Sequence, residues 1–194
     1  MKYLSFDLEA TGLNENDKII EFACVPFCTQ KREIEKNLTF HSFIKCPSFE
    51  NLKPSLDPWV IKHNEHLIRK AHDTGLEINE FKRQLQNYLT QDDLTNYFEN
   101  QKITLFGKSM AAIDLPFLNR DLGWDWMRTY FEHRQLDLSS VSYALIDLGY
   151  LPEKCQSGSA LMKELGFGEV SHTALEDSIN TANMYLKIIE KFAR

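Results

Sequence analysis

The 194-residue chain carries 22 basic and 28 acidic residues, a net charge of −6, with 43% apolar and 26% charged residues. That length suits a single domain over 1–194 with a substantial core, and the balanced composition excludes collagen-like and disordered classes. The acidic surplus argues against a protein that grips long duplexes by neutralising many phosphates, although a local field can oppose the global sign.

The first stretch, Tyr3-Leu4-Ser5-Phe6-Asp7-Leu8-Glu9, reads as a strand. Side chains alternate along it, so Leu4, Phe6 and Leu8 share one face while Ser5, Asp7 and Glu9 share the other. The two carboxylates stand about 7 Å apart along the backbone. On this stretch alone they read equally as the wet face of an edge strand or as half of a site for a hard divalent cation. After a polar turn at 14–17, residues 18–27 form a second strand with Pro26 placing its end near an edge or bulge, and 38–45 form a third. These three strands open an antiparallel meander.

Residues 46–58, with three prolines, predict a surface loop; 59–71 and 79–89 predict amphipathic helices and 92–100 a short helical turn. The spacing gives this 46–100 segment structure but no role. A short buried strand at 103–106 ends at Gly107. A helix at 113–122 follows with Pro116 in its first turn, then a strand at 135–138 and helices at 139–148, 158–165 and 175–192. Three strands followed by alternating strands and helices predict an α/β fold, a mixed sheet flanked by helices.

Cys24, Cys28, Cys46 and Cys155 form no CxxC pair and have no zinc-finger histidine spacing, which predicts free thiols in a reducing compartment. The N-terminus lacks a signal-peptide pattern and no apolar run nears 18 residues, so the expectation is a cytoplasmic protein without a membrane anchor.

Two further places carry chemistry. In Ser171-His172-Thr173-Ala174-Leu175-Glu176-Asp177, Thr173 and Glu176 fit a capping box, with Glu176 reaching back to the cap's amide. His172 and Asp177 then take the two positions that meet in a hydrophobic staple. Ile179, Ala182, Leu186 and Ile189 continue an apolar face with Asp177 at its edge. The simpler account is a loop histidine beside a first-turn acid favoured by the helix dipole. Asp114 falls where a buried strand gives way to a helix, the usual place for α/β sites, although a lone Asp there is commonly a cap.

These residues together resemble the DEDD superfamily of 3′-to-5′ exonucleases in its histidine-bearing (DEDDh) subgroup, which includes oligoribonuclease, ribonuclease T and the polymerase III epsilon proofreading subunit. The first motif is Phe6-Asp7-Leu8-Glu9-Ala10-Thr11-Gly12-Leu13, followed by Lys18-Ile19-Ile20-Glu21-Phe22-Ala23; the second is Gly107 to Leu118 around Asp114; the third is His172-x4-Asp177. Ser109 stands where relatives usually carry Asn, and Ile113 where they carry an aromatic. The resemblance implies a ribonuclease H-like fold with a mixed five-stranded sheet. It also implies two Mg²⁺ or Mn²⁺ ions about 4 Å apart on Asp7, Glu9, Asp114 and Asp177, with His172 as general base. Backbone at Thr11 and Gly12 would meet the terminal 3′-hydroxyl and Leu13 would wedge against the last base. Tyr130, Phe131 and His133 could stack bases or simply pack a helix. The implied activity is release of nucleoside 5′-monophosphates from the 3′ end of single-stranded nucleic acid, with short RNA slightly preferred. A DNA-directed proofreading or repair exonuclease, a nucleotide phosphatase and a non-catalytic interaction module are the alternatives, and a homodimer is left open.

Overall fold

The computed structural model describes residues 1–168 and 173–192. Strand β1 (Lys2–Ala10) pairs antiparallel with β2 (Ile19–Cys28), from Lys2 opposite Cys28 to Ala10 opposite Ile19, with a bulge at Glu9/Ala10. The turn between them is tied by side chains. Thr11 donates its hydroxyl to Asp17 and accepts from the Lys18 amide, both at 2.9 Å, and Asp17 also accepts from the Asn14 amide. A Cβ on Gly12 would lie 2.5 Å from the Asp17 carboxylate, so this close approach requires glycine.

On its far edge β2 pairs with two short strands, β3 (Glu33–Ile34) and β4 (Phe40–Phe43). Pro26 does not end β2. Its carbonyl accepts from Glu35 N at 2.9 Å, so its missing N–H faces this same edge, between the stretches that pair with β4 and with β3. The stretch expected to be a bare loop holds a one-turn helix, α1 (Phe49–Leu52), before α2 (Pro58–Thr74), α3 (Ile78–Thr90) and α4 (Asp92–Tyr97). Asp57 caps α2, accepting from Trp59 N at 2.7 Å, with Pro58 at the first helical position.

The chain then alternates: β5 (Leu105–Gly107), α5 (Asp114–Leu122), α6 (Trp124–Tyr130), β6 (Leu136–Asp137), α7 (Leu138–Asp147), α8 (Gly158–Glu164) and α9 (Ala174–Phe192). Helix α6 was not expected. Gly123, at φ +94°, breaks the helical run and starts it again, and seven residues are too few for an apolar period to show. The sheet has six strands, not five, in the order β3-β2-β1-β5-β6 with β4 also beside β2, and β5 and β6 run parallel to β1. The additional strand is the two-residue β3.

One face of the sheet packs Leu4, Phe6, Leu8, Phe22 and Leu105 against Phe81, Leu85, Leu115 and Leu118 of α3 and α5. The other packs Tyr3, Phe27 and Phe106 against Ala182, Tyr185 and Ile188 of α9. A third cluster joins Ile20 to Phe49, Val60, Leu67 and Ile68 of α1 and α2. All four cysteines are free and buried, and burial pushes the Cys24 thiol up to about 12 and Cys46 to about 11. No helix among the described residues is long and apolar enough to cross a membrane.

Candidate active site

The parallel strands β1 and β5 bring Asp7 and Glu9, the loop after Gly107 and the start of α5 to one edge of the sheet. Helix α9 closes over it because its contact face is made of small residues. Ala174, Ser178, Thr181 and Ala182 are buried, and the Ser178 carbonyl accepts the buried Ser5 hydroxyl at 2.7 Å. The buried residues continue through Leu186 and Ile188, so the expected Ile179-Ala182-Leu186-Ile189 stripe is met at Ala182 and Leu186 while Ile179 and Ile189 are half-buried, and Asp177 adjoins the tightest contact. Small side chains let helix and strand backbones approach closely.

The start of α9 is fixed twice. Thr173 accepts from Glu176 N at 3.3 Å as the cap, and its hydroxyl also meets the Glu176 carboxylate at 3.3 Å. Ala174 N donates at 3.1 Å to Glu21 of β2, whose other oxygen lies 2.6 Å from His41 Nε2 of β4. Glu21 is 2% exposed.

One carboxylate oxygen each from Asp7, Glu9 and Asp177 lie within 4.8 Å of one another. Asp114, 7% exposed, is the fourth acid, and it caps nothing: it is the first residue of α5 and its charge acts on Asp7. Burial first, then the charges of Asp114, Glu9 and Asp177, hold the Asp7 carboxyl well above the usual carboxylate range, with Lys108 opposing. Burial pushes Glu9 up to about 7 against a hydrogen bond from Asn64. It pushes Asp114 to about 7, although backbone amides of Asp114 itself and Leu8 pull it down, and Asp177 to about 6. Carboxylates gathered this closely, Asp114 buried and the other three half-buried, are stabilised in their charged form by a cation between them. An all-oxygen donor set with this spacing fits a hard divalent ion such as Mg²⁺ or Mn²⁺.

His172 lies outside the described residues. Thr11 is buried, and Leu13 is 76% exposed at the mouth of a cavity of about 380 Å³ lined also by Ile113, Pro116, Phe117 and Arg120, so it is not a core leucine. Phe131 is a core residue, 7% exposed, and Tyr130 packs on Trp126, which leaves only His133 of that trio with a largely exposed side chain. Ser109 sits at φ +56°, a conformation Asn tolerates better than most residues. Its hydroxyl meets Ser139 Oγ at 2.8 Å, and Asp137 accepts from the Ser109 and Met110 amides, so the turn is held without an Asn amide.

Three residues of the site were given no role by the sequence: Glu21 and Lys108 lie within the quoted motifs, and Asn64 lies outside them. Asn64 of α2 donates to Glu9 at 3.1 Å, Glu21 anchors α9, and Lys108 places a positive charge near Asp7, Asp114 and Asp177. Only Glu21 left a signal: it stands directly opposite Glu9 once the hairpin register is known.

An acid cluster at the end of the parallel strands of a mixed α/β sheet is the arrangement of a nuclease of the DEDD superfamily. A family model described as Exonuclease, of the RNase T type, matches residues 4–185, and the chain belongs to that exonuclease family. Solved structures with the same fold include cell-death related nuclease 4 (14% identity over 98% of this chain and 64% of that one, TM-score 0.70). The nuclease domain of 3′hExo, a DEDDh family member bound to rAMP, matches at 18% identity over 98% of this chain and 92% of that one, with TM-score 0.65. S. pombe Pop2p in its Mg²⁺- and Mn²⁺-bound form matches at 13% identity over 98% and 83%, with TM-score 0.69. The chain thus spans slightly less than two thirds of the nuclease 4 chain and most of the other two. No curated protein matches it by sequence.

Proposed function

We propose that this protein is a 3′-to-5′ exonuclease that releases nucleoside 5′-monophosphates from the 3′ end of single-stranded nucleic acid, with short RNA preferred. The observation that carries the reading is the convergence of Asp7, Glu9 and Asp177 within 4.8 Å, backed by the buried Asp114. Those four residues would hold two Mg²⁺ or Mn²⁺ ions, which supply positive charge to the entering and leaving oxygens of an in-line displacement.

The remaining work falls to the chain itself. Asp7, on which the charges of Asp114, Glu9 and Asp177 all act, is the central ligand. His172 takes the proton of the attacking water, a task suited to a side chain whose ordinary pKa is about 6.5. The Thr11 and Gly12 backbone, held in shape by Asp17, faces the terminal 3′-hydroxyl. Exposed Leu13 stacks against the last base at the mouth of the Ile113–Phe117 cavity. The rAMP in the 3′hExo domain and the ions in Pop2p support this reading by fold. The net charge of −6 favours a short substrate, because few phosphates can be neutralised outside the site.

The test is a time course with Mg²⁺ or Mn²⁺ on 5′-labelled RNA and DNA oligomers, from dinucleotides upward, with product identification. A ladder shortening from the 3′ end with nucleoside 5′-monophosphate released is expected, faster on short RNA. Release of inorganic phosphate, or no cleavage in either sugar series, would overturn the proposal.

A further inference from the structure

The four acids share their site with one lysine. Strands β1 and β5 are in parallel register, Leu4 beside Leu105 and Ser5 beside Phe106. A Cβ on Gly107 would lie 3.3 Å from the Phe6 carbonyl, so the two chains still run together at the next step. Lys108 is the next residue, in the bend that follows β5, so its backbone leaves the sheet next to Asp7. Phe106 packs on Tyr185 of α9 and Leu105 on the opposite face, and from the bend beyond them the Lys108 charge acts on Asp7, Asp114 and Asp177.

Its far end is located independently. A Cβ on Gly158, the first residue of α8, would stand 2.8 Å from Lys108 Nζ and 3.2 Å from its Cδ. The end of the lysine stem therefore lies against the start of α8. Lys108 is nevertheless an exposed residue, open to solvent.

We propose that Lys108 is a tethered cation that shares the carboxylate cage with the divalent ions and turns to the substrate phosphate when nucleic acid binds, coupling ion loading to substrate binding. This rests on the reading of the four acids as divalent-ion ligands. A protonated ammonium has no lone pair to coordinate an ion. Beside Asp7 it acts on ions only by repulsion, and on a phosphodiester only by attraction. Drawn away by a phosphate, it leaves the acids to the ions. By linkage the ions then favour phosphate binding to the same degree.

The test is a calorimetric Mn²⁺ titration of the full chain as wild type, Lys108→Gln and Lys108→Arg, without and with adenosine 5′-monophosphate as the phosphate probe. Without nucleotide, Lys108→Gln should bind Mn²⁺ about tenfold more tightly than wild type and Lys108→Arg should not, as expected for loss of one charge at a partly solvated site. The nucleotide should tighten Mn²⁺ binding about tenfold in wild type and much less in Lys108→Gln. Equal or weaker Mn²⁺ binding by Lys108→Gln, or an Arg variant that behaves like Gln, would overturn the role of the lysine alone. Failure of the wild type to bind Mn²⁺ would overturn the reading of the acids, and this inference with it.

Discussion

Glu9 and Glu21 face each other across the β1–β2 hairpin, one strand apart and on the same side of the sheet, yet they are treated in opposite ways. Glu21 is buried with two donors, His41 at 2.6 Å and the Ala174 amide at 3.1 Å. Among the described residues Glu9 has a single amide donor, from Asn64, and its field comes from Asp177, Glu21 and Asp114. The antiparallel half of the sheet thus holds a satisfied acid that pins α9, and the parallel half holds acids that repel one another. Burial of a carboxylate is common to both regions; the partner inventory separates a structural acid from ion ligands.

Paired substitutions should separate the two sharply. Asp7→Ala should lower the exonuclease rate by about three orders of magnitude, ~4 kcal/mol of barrier, while the metal-free protein melts at the same temperature or higher, since one repelling charge has gone. Retention of full activity in this variant would remove Asp7 from the site. Glu21→Ala should act the other way round. Removing one partner of a buried pair destabilises by about 3 kcal/mol, or roughly 8 °C in melting temperature for a chain of this size. An undisturbed melting curve for Glu21→Ala would mean that the Glu21–His41–Ala174 chain does not hold α9.

How much of this contrast could be read from the sequence follows from the range of the forces. Asp7 and Glu9 were legible as a pair because strand alternation is local, and the Thr173 cap was legible because its partner is three residues away. Asp114 was placed correctly at a strand-to-helix junction, but its lack of a capping bond was not foreseeable, since that depends on where β1 lies. Glu21, Asn64 and Lys108 act across 153, 55 and about a hundred residues of chain, and no local period encodes such contacts. The α9 face is legible only in part for a related reason: Ala182 and Leu186 of the apolar stripe are buried, while the close crossing of β1 also selects Ser178 and Thr181, which no apolar pattern marks.

Acidity offers a second way to sharpen the comparison. Glu9 and Asp114 are pushed up to about 7 and Asp177 to about 6, all above their unfolded values, so the folded metal-free chain holds more protons than the unfolded chain between pH 4 and 7. Stability is then greatest below the unfolded values and falls as pH rises through 6 to 7. Without divalent ions the melting temperature should drop by about 5 °C from pH 5 to pH 8, and millimolar Mg²⁺ should abolish the drop by replacing the protons. A metal-free melting temperature that rises over this range would mean that the acids are not mutually repelling.

The smallest effect is expected where the two regions touch. Asn64 reaches from α2 to donate to Glu9 at 3.1 Å and to the Ala10 carbonyl at 3.4 Å, while its own Oδ1 is buried without a partner among the described residues. Asn64→Ala removes a hydrogen bond to a charged group, which destabilises by about 1.5 kcal/mol, but it also removes an unsatisfied buried oxygen whose desolvation opposes folding by a similar amount. The net loss of stability should therefore be under about 1 kcal/mol, or roughly 2 °C. The amide lowers the Glu9 carboxyl, so its removal should carry Glu9 above about 7 and move the pH-dependent fall in metal-free melting temperature upward. Melting curves of the variant from pH 5 to pH 9 test both parts: a large loss of stability with no shift of the pH profile would make Asn64 a packing residue of α2, whereas a small loss with a shifted profile assigns it to the charge balance of the ion-binding acids.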